Sequence, residues 1–205
     1  MSSQAVNFSN RDGLSLSGVV ETPDGAIRAW ALFAHCFTCS KDTLAATRIS
    51  RELAERGIGV LRFDFTGLGA SEGTFESTAF STNVSDLVDA VNWMAANGRP
   101  AQLLIGHSLG GAASIVDTRQ LPDIRALVTL AAPSEADHVI AQFKQSVPEI
   151  ESAGQAQVDL AGRPFELTKA FLEDVRGSRV IDAVRELKRP FLIMHSPTDA
   201  TVGVA

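Results

Sequence analysis

Leu103-Leu104-Ile105-Gly106-His107-Ser108-Leu109-Gly110-Gly111-Ala112-Ala113 decides the fold. The apolar run Leu103 to Ile105 reads as a buried strand, Gly111 to Ala113 as a helix start, and G-x-S-x-G lies between them. A serine on so sharp a strand-to-helix turn needs small neighbours two residues away, and Gly106 and Gly110 meet that need. The strain of the turn exposes the hydroxyl. The turn also aims the first amides of the helix at the serine, where their partial positive charge would stabilise a developing oxyanion. The spacing therefore predicts Ser108 as a nucleophile and the backbone N–H of Leu109 as an oxyanion donor. The competing reading is a serine in an ordinary glycine-rich helix entry.

The pattern on either side fits. Trp30 to Ala34, Val60 to Phe63, Ala126 to Ala131 and Phe191 to Met194 are apolar runs too continuous for half-exposed strands. They predict, with Leu103 to Ile105, the fully buried strands of a parallel sheet. Ala46, Ile49 and Leu53 fall on one face of a helix that stops at Gly57. Phe80, Val84, Leu87, Val91 and Met94 mark a second helix, ended by Asn97-Gly98 and Pro100. Strand alternating with helix predicts an α/β fold with a mostly parallel twisted sheet. Ahead of it, Val6 to Phe8, the turn Asn10 to Gly13 and Leu14 to Val20 predict an antiparallel hairpin. Residues 134–189 break the alternation, with Val147-Pro148, a short hairpin around Ala161-Gly162-Arg163 and a helix from about Leu167 to Val175. A stretch of that length exceeds a crossover, so it is expected to be an inserted cap over the strand ends.

Composition narrows the class. The 205 residues carry 18 Lys+Arg against 24 Asp+Glu, a formal charge of −6, and 45% are hydrophobic. That describes one globular domain, and the acidic balance argues against nucleic-acid or anionic-membrane partners. The longest apolar stretch, Ala29 to Phe37, is far short of the roughly 20 residues of a membrane-spanning helix. Nothing at Met1-Ser2-Ser3-Gln4 reads as a secretory signal, so a cytoplasmic location is expected.

The strand Trp30 to Ala34 runs into His35-Cys36-Phe37-Thr38-Cys39-Ser40, where a second oxyanion amide is expected; that donor is assigned to the backbone of Phe37. Gly-His-Ser-Leu-Gly-Gly at 106–111, with Asp64-Phe65-Thr66-Gly67-Leu68-Gly69-Ala70-Ser71 after an earlier strand, resembles the α/β-hydrolase superfamily. More narrowly, residues 35–42 and Ile193-Met194-His195-Ser196-Pro197-Thr198-Asp199 are similar to hydrolase domains that bacteria carry ahead of an OsmC-like, osmotically inducible peroxidase domain. The resemblance implies an esterase-like serine hydrolase acting on a small acyl or ester substrate, with no cofactor or metal. It also implies Asp199 as the acid that orients a catalytic imidazole, and an OsmC-like domain following in a longer protein. Glu135 and Asp137 are weaker candidates for the acid.

The order on this fold is serine, acid, then histidine, and none of the residues after Asp199 is histidine. His107 is expected to point away from the serine hydroxyl, His35 to be structural, His195 to start about 10 Å away two strands over, and His138 to belong to the cap. Residues 1–205 are therefore expected to be the N-terminal portion of a longer hydrolase, impaired without its base. Cys36-x-x-Cys39 has a redox spacing, but it follows a strand and does not open a helix; both cysteines are expected to be buried small residues, with a dithiol that modulates access to Ser108 as the alternative. Gly67-x-Gly69 reads as the floor of the cleft in preference to a dinucleotide loop. A non-catalytic module of the same fold is the alternative from a different class.

Overall fold

The computed structural model describes residues 1–160 and 162–204. Among these described residues nine strands form two sheets: β1 (Ser2–Ser9), β2 (Ser15–Thr22), β3 (Ala29–Ala34), β4 (Ile58–Phe63), β5 (Ala101–His107), β6 (Ala126–Leu130), β7 (Gln155–Leu160), β8 (Arg163–Thr168) and β9 (Phe191–Met194). The main sheet has seven strands in the order β1-β2-β4-β3-β5-β6-β9. Strands β4, β3, β5, β6 and β9 run parallel, and the hairpin β1–β2 joins antiparallel through β2 and β4.

The topology locates the site before any side chain is considered. From β3 the chain passes through α1 (Leu44–Glu55) to β4 on one side, and later returns through α2 (Phe80–Ala96) to β5 on the other. Ligands on open α/β sheets bind outside the carboxyl ends of the strands where the order reverses in this way. Ala34, the last residue of β3, pairs with Gly106 of β5, so the loop after β3 and the turn after β5 leave the sheet side by side.

Trp30 to Ala34 of β3 and Gly59 to Phe63 of β4 are all buried. Their alternate side chains enter two cores, which explains the unbroken apolar runs. Ala31, Phe33, Val60 and Ile105 pack with Ala46 of α1 on one face. Leu32, Leu61 and Leu104 join Leu87 and Met94 of α2 and Ala112 of α3 (Leu109–Asp117) on the other. The helix ends follow their chemistry: Thr43 Oγ1 accepts from Ala46 N to cap α1, and Gly57 and Gly98 take φ +83° and +71° just past α1 and α2. None of the described helices is long and apolar enough to cross a membrane.

Strands β6 and β9 depart from the expectation of full burial: Ala126, Val128 and Leu130 of β6 are half-buried, as is Leu103 of β5, and β9 departs furthest. It occupies the sheet edge, and Leu192, Ile193 and Met194 are 55%, 63% and 52% exposed. The apolar run announces a strand, but burial depends on what covers it: Leu192 and Met194 share the face of Val128 and Leu130 on which α1 packs, yet α1 lies over β4 and β2, toward the opposite edge of the sheet.

The segment between β6 and β9 holds a 3-10 stretch at Ala136–Ser146, α4 (Val147–Ala153), the hairpin β7–β8, α5 (Lys169–Gly177) and α6 (Val180–Glu186). The turn expected at Ala161 falls outside the described residues. The helix expected from Leu167 starts later, at Lys169, because Leu167 is a buried strand residue paired with Ala156. Thr168 is the N-cap, its hydroxyl accepting from Phe171 N.

Candidate active site

Ser108 stands between β5 and α3 with φ +52° and ψ −124°. That left-handed conformation is costly for a residue with a Cβ, and the surroundings hold it in place. Ser108 N donates to the carbonyl of Leu130 in β6 at 2.9 Å, while Ser108 O accepts from Gly111 N at 2.8 Å. The glycines are required by contact. A Cβ at Gly106 would stand 2.6 Å from the carbonyl of Gly110, and one at Gly110 would overlap the carbonyl of His35 and approach that of Ala34 to 2.8 Å. The strand, the helix and the loop after β3 thus meet at backbone distance around Ser108, whose side chain is half-buried.

Leu109 is the first residue of α3, so its N–H has no carbonyl inside the helix to bond. Together with Phe37, His35, Phe65, Leu68 and Gly110 it lines a cavity of about 10 Å³, at the lower limit for one water. Both residues whose amides are predicted for the oxyanion therefore line one small cavity. Phe65 and Leu68 form its wall, as expected of the stretch around Gly67-x-Gly69.

The loop carrying Phe37 is held by His35, which is buried beneath it. His35 Nδ1 lies 2.8 Å from the carbonyl of Cys36, and Nε2 accepts from Phe65 N at 3.4 Å. A carbonyl only accepts and a backbone N–H only donates, so the proton sits on Nδ1. Burial pushes the ring's pKa down to about 4, which keeps it neutral. The structural role expected for His35 is this one.

Cys36 and Cys39 depart from expectation: they are half-buried and joined in a disulfide, and no free cysteine occurs among the described residues. Thr38 between them has φ +58°, and its carbonyl accepts from the guanidinium of Arg163 on β8. Phe37 stacks on Phe171 of α5 with centroids 5.6 Å apart and packs against Phe75 at 5.7 Å.

Asp199 follows β9 in a tight turn. Its Oδ1 accepts from Thr201 N at 2.8 Å and Val202 N at 2.9 Å, and these bonds hold the carboxyl below its ordinary pKa. Its Oδ2 is 3.8 Å from His195 Nε2, which is itself 2.7 Å from the carbonyl of Val202. Asp199 also acts on His107, the neighbour of Ser108: burial lowers the pKa of His107 and the charge of Asp199 opposes that. His138 Nε2 is 2.7 Å from the carbonyl of Thr201. Among the described residues no histidine nitrogen is hydrogen-bonded to Ser108. Glu135 is occupied elsewhere, its Oε2 accepting from Val180 N at the start of α6, and Asp137 is exposed.

Two buried carboxylates beneath the site escape the sequence reading. Asp64, just after β4, accepts from Lys41 N and from Lys41 Nζ. Asp86 of α2 accepts from Thr66 N at 2.8 Å and is pushed up in pKa by burial. Acidic residues at a strand end and inside an apolar helix face are the signal, since a carboxylate there must find donors. Among the described residues no group of three or more His, Cys, Asp or Glu would hold a metal ion.

Comparison with known proteins agrees with this fold. The pattern of the Alpha/beta hydrolase family matches residues 31–191. The structure is similar to that of the esterase domain of a Rhodothermus marinus protein, with 42% identity, all of this chain and 80% of that one covered, and TM-score 0.75. It shares its fold with Est1E from Butyrivibrio proteoclasticus bound to ferulic acid, at 23% identity, 97% and 81% coverage and TM-score 0.76. The same holds for an esterase from Pyrococcus furiosus, at 21% identity, 99% and 74% coverage and TM-score 0.75. No curated protein matches the chain. With its parallel sheet, its glycine-bound turn at Ser108 and the match across most of its length, the chain belongs to the alpha/beta hydrolase family.

Proposed function

We propose that the protein is a serine hydrolase of esterase type, with Ser108 as nucleophile. The observation that carries this is the left-handed Ser108 at the junction of β5 and α3, whose next residue, Leu109, lines one small cavity together with Phe37.

In this reading Ser108 Oγ attacks the carbonyl carbon of a small acyl or ester substrate, and its proton passes to a general base. Negative charge develops on the carbonyl oxygen, which accepts from the N–H groups of Phe37 and Leu109; these donors are already oriented, so no reorganisation is needed during the step. The tetrahedral centre collapses to an acyl-enzyme, and the alcohol leaves with the proton held by the base. Water then attacks in the same way and releases the acid. Asp199 is the residue that orients the base in this reading, its Oδ1 fixed by the turn after β9.

His35, His138 and His195 each have a ring nitrogen engaged with a backbone carbonyl, and His107 Nδ1 is buried without a partner, so the reading leaves the general base unassigned among these four. The insertion, which brings Phe171 onto Phe37, acts as the cap. An OsmC-like partner domain rests on the sequence resemblance alone.

The test is hydrolysis of activated aryl esters by the intact protein and by Ser108→Ala. Loss of a triad member lowers turnover by about 10⁴-fold or more. Equal rates in the two proteins would overturn the assignment and favour a non-catalytic module.

A further inference from the structure

We propose that the Cys36–Cys39 disulfide is a reducible control element of the oxyanion site: opened by a small dithiol, it releases one of the two donors that fix the peptide plane presenting the Phe37 N–H. The inference rests on the hydrolase reading above and adds a redox dependence to it.

The argument begins with the peptide unit. The carbonyl of Cys36 and the N–H of Phe37 belong to one planar group and point in opposite directions, so whatever grips the carbonyl also aims the N–H. Two donors grip it. His35 Nδ1 lies at 2.8 Å and belongs to the buried core; Cys39 N lies at 3.1 Å and belongs to the loop. The first is indifferent to redox state. The second depends on Cys39 staying where the disulfide keeps it, with its Cα 5.3 Å from that of Cys36.

Between the cysteines, Thr38 has φ +58°, a conformation that a β-branched residue keeps only when its surroundings impose it. The bridge and the contact from Arg163 impose it here. With the bridge open, Thr38 can return to negative φ, which carries Cys39 N away from the carbonyl. The ring of Phe37 remains stacked on Phe171, so the loop stays docked and the donor is misaimed without being lost.

The placement of the bridge also sets it apart from a stabilising staple. A sequence separation of 3 removes little chain entropy from the unfolded state, since that gain grows with loop length. Both cysteines are half-buried, and Cys36 lines the small cavity together with Phe37 and Leu109. Thiolates from solvent can therefore reach the bridge, and its opening is felt first at the site.

The chemistry balances with a dithiol as reductant. One thiolate of the dithiol attacks one sulfur of the pair, forming a mixed disulfide and expelling the other cysteine as a thiolate, which takes up a proton. The second thiol of the reductant then attacks its own sulfur in the mixed disulfide. The second cysteine leaves, and the reductant departs as its cyclic disulfide. Two electrons and two protons pass to Cys36 and Cys39.

The experiment compares the intact protein in air, after dithiothreitol, and after reoxidation. Free thiols are titrated under native conditions, aryl-ester turnover is measured, and amide hydrogen exchange is followed in the 35–40 segment. The expected result is no titratable thiol in air and two after reduction. Reduction should bring faster exchange at Phe37 to Cys39 and a fall in kcat of about tenfold with KM little changed, reversed by reoxidation. That fall is smaller than the roughly 10²–10³ seen when an oxyanion donor is removed outright. The double substitution Cys36→Ser with Cys39→Ser should show the lower rate and ignore the reductant. Two titratable thiols in air, or full reduction with exchange and rate both unchanged, would overturn the proposal. An exchange response without ester turnover in any state would overturn the hydrolase reading and the catalytic half of this one, leaving the coupling of bridge to peptide standing.

Discussion

The ammonium of Lys41 and the carboxylate of Asp64 meet at 2.7 Å at the end of the loop after β3, and both residues are buried. Asp64 Oδ1 accepts from Lys41 N, and Oδ2 also accepts from Ala70 N at 2.9 Å. One carboxylate thus ties the end of the loop after β3 to the turn after β4.

Removing only the cation should be costly. Lys41→Met leaves Asp64 charged and buried beside backbone donors alone, a change worth about 3–5 kcal/mol in comparable pairs. Denaturant unfolding at neutral pH should show that loss. A midpoint unchanged from the parent would mean that Lys41 contributes nothing there.

The glycines around Ser108 separate contact from composition. Gly110→Ala must push against the carbonyls of His35 and Ala34, and a loss of more than about 2 kcal/mol or failure to fold is expected. Gly177, at the end of α5, has nothing within 4 Å of an added Cβ and does not have a positive φ. Gly177→Ala should be neutral or gain up to about 1 kcal/mol. Parallel thermal melts of the two variants check the contrast.

Asp117 gives stability a slope between about pH 4 and pH 8. It is fully buried, neither carboxylate oxygen has a partner, and burial raises its pKa to about 8. In the unfolded chain it ionises near pH 4. Between those values the native state holds a proton that the unfolded state has released, so this group's contribution to stability falls as pH rises, by up to about 1.4 kcal/mol per pH unit. Asp117→Asn should match the parent near pH 4 and become progressively more stable than it toward pH 8. Melting curves across that range decide, and a constant difference would contradict the account.

His35 gives the opposite slope. With the native pKa at about 4 and the unfolded value near 6.5, the unfolded chain binds a proton that the native ring refuses. Stability should fall as pH drops from about 6.5 to 4, again by up to about 1.4 kcal/mol per unit. His35→Gln should lower stability at pH 7, yet show a shallower acid slope than the parent in urea titrations.

The sheet and the elbow were legible because their signals are local. Leu104 and Ile105 are buried as their apolar run implies, and Gly106 and Gly110 answer a close backbone approach. The exposure of Leu192 to Met194 was not legible, because it is fixed by strand order and by what lies beside β9. The start of α5 was missed because Leu167 fits a helical face and a strand face equally, and its pairing with Ala156 across β7 decides. Cys36-x-x-Cys39 fits several states by spacing; the turn at Thr38 brings the sulfurs together. The partners of Asp64 and Asp86 come from segments far apart in sequence, so no local pattern reveals them.

The most direct measurement is covalent labelling of the intact protein with a fluorophosphonate, followed by peptide mapping. The account predicts a single adduct on Ser108 that disappears in Ser108→Ala while the fold is retained. No adduct, or one carried by another residue and indifferent to that substitution, would contradict it.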